Sequence, residues 1–221
     1  LSNDFDAFVV LTEGNTSEWP FTKNIKVIPN PHSFYPSVNS SLMQKKVIAV
    51  GKQSFQKSYD RLLKIWQKAT LECADWELHI YGKEDKAENL PALARKFRIE
   101  KTVYFHDAVK DIEEKYLESS ISVLSSRYEG FGMVIIEAMS CGLPVVSFDC
   151  PHGPADIISH GEDGFLVENG NIDMFAEKLS LLMTQSELRT RMGKNAMENV
   201  SRFTAAEIIP KWDNLFKDLV K

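Results

Sequence analysis

The sequence has little cysteine, no long apolar run and no excess of positive charge, and each shortage argues against a class of protein. Three cysteines, Cys73, Cys141 and Cys150, stand among 221 residues without CxxC spacing. A count so sparse and odd points to a reducing compartment and away from a disulfide framework. No apolar stretch approaches the ~20 residues that span a bilayer as a helix, and no signal-peptide pattern opens the chain. The net charge of -5 argues against broad nucleic-acid binding, which calls for a basic footprint. A dinucleotide fingerprint is missing too: GKQSFQ stands where G-x-G-x-x-G would open the strand–helix unit, which tells against a nicotinamide dehydrogenase. Internal repeats and low-complexity segments are also lacking. The chain starts at Leu1 rather than Met, as a fragment would.

What is present is an ordinary globular composition, 43% hydrophobic and 26% charged. A chain of this size buries roughly 70% of its unfolded surface, so no metal or disulfide staple is required. The first apolar run, FDAFVVLT, reads as a strand followed by a turn at Glu13-Gly14-Asn15. The stretch from Lys26 to Pro36 carries three prolines and reads as a linker, because each proline removes a donor and extends its predecessor. From Lys46 onward the texture becomes regular. KVIAVG, WELHIYG, TVYFHD, ISVLSS, LPVVSFD and GFLVE read as strands. Helical stretches alternate with them. In DRLLKIWQKAT, Leu62, Leu63, Trp66 and Ala69 share one face. LPALARKF, IEEKYLESS, MVIIEAMSCG and PADIISHG follow, the third stopped by Gly142, and three more helical patterns finish the chain. Short strands alternating with helices predict an α/β fold, a parallel sheet covered on both faces. In such folds ligands gather at the C-terminal ends of the strands.

Two strand ends carry unusual chemistry. The strand ISVLSS runs into Arg127-Tyr128-Glu129, then Gly130-Phe131-Gly132, then a helix. Glycines around one aromatic allow close backbone approach, and the helix start presents N–H groups to an anion. Glu129, beside that anion site, suits a hydroxyl-rich group. Glu137, about two turns into the helix, suits a vicinal diol such as a ribose, whose hydroxyls its two oxygens accept. The competing reading makes Glu129 a partner of the helix dipole and Glu137 a solvated helix residue. At the second strand end, AVGKQSFQKSYDRL, Gly51 closes the strand, and Lys52 and Lys57 bracket a loop before a helix. They suit a diphosphate, or simply form an exposed polar loop.

The stretch from Lys26 to about Lys217 resembles the C-terminal half of glycosyltransferase family 4. RYEGFGMVIIEAMSCGLPVVSFD is similar to that family's Glu-x7-Glu signature, and VGKQSFQKSYDRL resembles its Gly-Arg-…-Lys-Gly loop. GEDGFLVENGNIDMFAEKL resembles the segment beyond the second glutamate, and SFDCPHGPADII is similar to a bacterial subgroup that builds surface and capsular polysaccharides. The resemblance implies a Rossmann-like GT-B donor domain acting with retention on a nucleotide sugar, UDP-linked, with no metal. Glu129 would face the donor sugar in a pocket shaped by Gly130, Phe131 and Gly132. N–H groups near Met133 and Val134 would meet the distal phosphate, and Glu137 would grip the ribose. Lys52 and Lys57, beside Gly51, would hold the diphosphate and stabilise it as it leaves, where negative charge develops.

Two departures stand out. Lys52 replaces the family's usual arginine and loses its bidentate fork, and Ser58 replaces the usual glycine. The resemblance divides the chain into residues 1–30, a remnant of the N-terminal acceptor domain and crossover, and residues 31–221, the donor domain. A glycan or lipid-linked acceptor would bind through the domain that is missing, in the cytoplasm, with peripheral membrane association of the full-length protein. The alternative is a non-catalytic Rossmann-like nucleotide-binding module.

Other residues draw the eye less. His106 and Tyr81-Gly82 end neighbouring strands near where a base would lie. His152, in the Cys150–Pro154 turn, has too few ligands beside it for zinc. Cys141 reads as a packing residue. Trp212, Leu215, Phe216 and Leu219 predict an amphipathic last helix, which either packs on the core or crosses to the N-terminal domain.

Overall fold

The computed structural model describes residues 4–32 and 34–220. The first three residues of the expected N-terminal remnant, with Ser33 and Lys221, lie outside them. Each stretch read as a strand from Lys46 onward forms one: β3 (Lys46–Val50), β4 (Glu77–Tyr81), β5 (Val103–His106), β6 (Ile121–Leu124), β7 (Val145–Asp149) and β8 (Gly164–Glu168). They build one parallel sheet in the order β5-β4-β3-β6-β7-β8. Two helix layers cover it, as strands with apolar residues on both sides require. One layer is α2 (Tyr59–Ala69), α3 (Leu90–Lys96) and α7 (Ile172–Thr184), packed on Val47, Ala49, Leu78 and Ile80. The other is α4 (Ile112–Leu117), α5 (Met133–Ser140), α6 (Pro154–Ile157) and α8 (Ser186–Val200), packed on Ile48, Tyr81, Leu124 and Val145. The α2 stripe is buried as predicted, and the indole of Trp66 donates to Thr102 Oγ1 at 3.0 Å. Helix α5 stops where expected, with Gly142 at φ 83°, a left-handed turn that favours glycine.

The N-terminal segment differs from its reading. Strand β1 is only Phe8–Val10, and the expected turn winds into a short helix, α1 (Glu13–Thr16). Thr12 caps it, its hydroxyl accepting from the Asn15 N–H at 3.0 Å. The supposed linker begins as a strand, β2 (Ile25–Val27), paired in parallel with β1. The last helix, α9 (Ala205–Leu219), turns only part of its predicted stripe inward, Leu215 and the partly buried Trp212. Ile208 and Leu215 are buried against Ile28, Ala7 and Val9, while Phe216 and Leu219 of the predicted stripe are exposed. The helix therefore packs on the β1–β2 pair rather than on the main sheet.

Sheet order places the site. From β3 the chain adds β4 and β5 toward one edge, then returns to add β6, β7 and β8 toward the other. The seam between β3 and β6 is the switch point of such a sheet, where the loops leaving the strands diverge and a crevice opens. Both unusual strand ends of the sequence emerge at this seam.

Candidate functional site

The loop after β3 and the loop after β6 are stitched together. Arg127 N–H donates to Gln56 O at 2.8 Å, Gln56 Nε2 to Tyr128 O at 3.0 Å, and Ser125 Oγ to Lys57 O at 2.8 Å. Across this seam Lys57 Nζ reaches Glu129 Oε1 at 2.7 Å, with side-chain exposures of 14% and 8%. Ser126, fully buried, donates to the same carboxylate oxygen at 2.5 Å. The pair is thus a nearly buried, hydrogen-bonded ion pair, in which each charge offsets the desolvation of the other. Gly51 makes room for it: a Cβ there would lie 2.6 Å from Lys57 Cε. Gly82 at the end of β4 is equally constrained, since its Cβ would fall 2.0 Å from Gly51 O.

Beyond Glu129 the chain passes Gly130, where an added Cβ would meet nothing within 4 Å, and reaches Gly132 at φ 98°. Gly132 caps α5 and no side chain caps that end, so the first N–H groups of the helix, at Met133 and Val134, sit where an anion is favoured. Phe131 turns inward, 4% exposed, with its ring edge-on to Phe203 at 5.8 Å between centroids. The Cys150–Pro154 turn lies under this loop. Pro151 O accepts from Glu129 N–H at 3.0 Å, and Gly153, at φ 110°, would drive a Cβ to 1.8 Å from Phe131 O. His152 belongs to that turn, with Nε2 2.9 Å from Glu18 Oε1.

Glu137 lies about one turn along α5. Its Oε2 accepts from Tyr116 OH at 3.3 Å, and Tyr116 is fully buried on α4. The phenol is therefore a donor that holds the carboxylate from behind. Burial first and the Glu137 charge second push the Tyr116 hydroxyl well above its ordinary value, so it keeps its proton. Burial and the Glu129 charge act likewise on Cys150, pushed up to about 12. Cys141 is also pushed up to about 12, chiefly by burial, and stays a packing thiol.

Lys52 does not join Lys57. It is exposed and sits 3.4 Å from Asp85 in the loop after β4. Ser58, where glycine was expected, adopts φ 58° and ψ 42°, so the left-handed turn persists without the glycine. Between the ends of β3, β4 and β5 lies a cavity of about 340 Å³, bordered by Gly51, Gly82, Ala108, Val109 and Ile112. Gln53, buried, ties the ends of β3 and β4 together by donating to Gly82 O at 2.9 Å. The His106 side chain points elsewhere, stacked on Tyr81 at 4.3 Å and 3.1 Å from His79. A larger depression of about 550 Å³ lies at the α7–α8 turn. It sits at the opposite end of the sheet and brings no glycines together. Among the described residues no group of three or more His, Cys, Asp or Glu is disposed to hold a metal, and no helix is long and apolar enough to cross a membrane.

A carboxylate–ammonium pair at the switch point, an uncapped helix start and a second carboxylate along that helix now form one site. A family model described as glycosyl transferases group 1 matches residues 34–199. The chain belongs to the group 1 glycosyl transferases. It is 36% identical over 214 residues to an uncharacterized glycosyltransferase of Haemophilus influenzae, covering 95% of this chain and 61% of that protein. It is 34% identical over 201 residues to the amylovoran biosynthesis glycosyltransferase AmsD of Erwinia amylovora, covering 87% and 56%. Among solved structures it resembles a mutant of S. aureus TarM in complex with Fondaparinux, alpha-GlcNAc-glycerol and UDP. The TM-score is 0.88 at 27% identity, over 97% of this chain and 44% of that one. The likeness bears out the Rossmann-like fold. The chain spans little more than half the length of these curated relatives.

Within this group 1 glycosyl transferase chain, several residues that build the site escaped sequence reading: Ser126, Tyr116, Gln53 and Gly153. Ser126 directly precedes the motif, and Gly153 sits between His and Pro. Those positions were visible, but the contacts were not.

Proposed function

We propose that this chain is the donor-binding half of a retaining family 4 glycosyltransferase. In this reading residues 31–221 form the donor domain, and residues 1–30 belong to the acceptor half and crossover. The full enzyme moves a hexose or N-acetylhexosamine from a UDP-sugar to a glycan or lipid-linked acceptor in bacterial surface polysaccharide synthesis. It works in the cytoplasm, with peripheral association at the membrane. The observation that carries the reading is the Lys57–Glu129 pair at the switch point, in register with the α5 start and Glu137. The UDP in the TarM complex and the naming of AmsD for amylovoran biosynthesis support the choice of donor and pathway class.

The roles follow from charge. The nucleobase enters the cavity bordered by Gly82, Val109 and Ile112, and Glu137 accepts from the ribose hydroxyls. The diphosphate lies over Gly51 and meets Lys57, the swinging Lys52, and the N–H groups of Met133 and Val134. In the reaction the bond between the anomeric carbon and the diphosphate oxygen breaks, its electron pair leaving with the nucleotide. The acceptor oxygen bonds to that carbon, and its proton passes to the departing diphosphate oxygen. Lys57 and Lys52 stabilise the departing charge, the point at which such electrostatics is worth most. Glu129, with one oxygen held by Lys57 and Ser126, offers its other oxygen to the sugar within Gly130–Gly132. The cations do the work of a metal, so a chelator leaves binding unchanged.

Calorimetric titration with UDP, ADP and GDP tests this reading. UDP should bind selectively, and Glu137→Ala should weaken it by ~1–3 kcal/mol, the range for a lost charged hydrogen bond. If none of the three nucleotides binds, the donor assignment is wrong for this chain.

A further inference from the structure

We infer that Arg127, clamped by Asp60, is a positioning residue that sets the spacing of the two loops carrying Lys57 and Glu129. Its consequence for binding rests on the donor-site reading above, while its effect on loop order rests on contacts within this chain. Arg127 Nη1 and Nη2 donate to Asp60 Oδ1 and Oδ2 at 3.2 and 3.1 Å, a two-pronged fork. Nη1 also donates to the Phe55 carbonyl, and the guanidinium lies 3.8 Å from the centre of the Phe55 ring. With its own N–H on Gln56 O, Arg127 grips the opposite loop at three points: 55, 56 and 60. Asp60 is in the first turn of α2, so the grip ends on a rigid element. Asn169, after β8, closes the far side by donating to Arg127 O at 3.2 Å while accepting from Arg61 at 3.0 Å.

The grip brackets the reactive pair. Lys57 falls between the gripped positions on one loop, and Glu129 follows Arg127 by two residues on the other. Neither long side chain is anchored by its own backbone element, yet they meet at 2.7 Å. A planar fork with side-chain exposures of 17% and 29% has a geometry that a lysine cannot reproduce. This differs from a solvated surface pair, which contributes little. Burial would raise the Asp60 carboxyl, but the Arg127 hydrogen bonds and charge, with help from Ser58, hold it below its ordinary value.

Amide hydrogen exchange and UDP titration of the full chain test the inference with Arg127→Ala, Arg127→Lys, Asp60→Ala and the double variant. Exchange in residues 52–57 and 126–132 should quicken about tenfold or more in Arg127→Ala. UDP affinity should fall in step, by about tenfold. The double variant should be no worse than Arg127→Ala, as for two partners in one contact, and Arg127→Lys should recover only part. A control, Leu188→Ala at the opposite end of the sheet, should lower the thermal midpoint without loosening the loops or weakening UDP. Unchanged loop exchange in Arg127→Ala would overturn the inference, as would additive effects of the two substitutions or equal loosening by the control. If the unaltered chain binds no nucleotide while its loops respond as described, the clamp stands and the donor reading falls.

Discussion

Removing the Lys57 charge should destabilise the protein unless the Glu129 charge is removed with it. The two side chains lie 2.7 Å apart and are 14% and 8% exposed. Breaking a fully buried pair costs roughly 3–5 kcal/mol, because the surviving charge loses its counter-ion where water cannot replace it. Here Ser126 still donates to Glu129 and a little solvent reaches Lys57. The expected cost of Lys57→Met is therefore lower, about 2–4 kcal/mol. Glu129→Gln should cost a similar amount. The double variant carries no unpaired charge and should lie within about 1 kcal/mol of the parent, a coupling of at least about 3 kcal/mol in the cycle. Urea denaturation at neutral pH, with the slope checked for constancy, measures this. Simple addition of the two single losses, or a loss below about 1 kcal/mol for Lys57→Met, would refute the reasoning. Ligand binding separates the two partners. Lys57→Met should weaken UDP by about 10–100-fold, the equivalent of a charged hydrogen bond. Glu129→Gln should leave UDP binding intact, because the ammonium is then released to the phosphates, but should abolish any preference for UDP-sugar over UDP.

Two further predictions test the supports of the site. Gly153→Ala should displace the Phe131 loop, because the added Cβ would lie 1.8 Å from Phe131 O and φ is 110°. Faster exchange across residues 129–133 and loss of UDP binding are expected, and a wild-type Kd would count against the support role. His106 predicts an acid-sensitive fold. Burial, then the neighbouring His79, Lys115 and Lys46, lower its pKa from the ordinary 6.5. The unfolded chain therefore takes up the proton first. Stability should be unaffected by this group well above pH 6.5 and should fall as the pH drops below 6.5 toward the folded value. His106→Gln should flatten that slope in urea midpoints taken between pH 7.5 and 5, and an unaltered slope would assign it to other groups.

Local patterning was enough to read the architecture and the motif. Six strands from Lys46 onward and the helices between them were legible because a doubly covered parallel strand must be apolar throughout, and a packed helix must carry a stripe. Gly142 announced the end of α5 through the backbone angle it permits. Glu129 and Glu137, eight residues apart on a loop and its helix, were legible as one constellation because a helix converts spacing directly into position. Local patterning failed at the N-terminal segment, where β2 forms only because β1 lies beside it. It was half right in α9, where Leu215 and Trp212 of the predicted stripe pack inward while Phe216 and Leu219 face solvent. The inward choice of Ile208 and Leu215 was made by the strands it covers.

From β3 to α8 the sequence by itself determined which segments fold, which faces they bury and which chemical groups end the strands, since these depend on neighbours a few residues apart. The tertiary structure decided the strand order, and with it that the loops after β3 and β6 face each other across the seam. Lys57 and Glu129 are 72 residues apart, as are Gln56 and Tyr128, and Tyr116 reaches Glu137 across 21. No periodicity encodes such contacts. They exist because burying both faces of one sheet leaves few ways to order its strands, and the order adopted brings those groups within hydrogen-bonding distance.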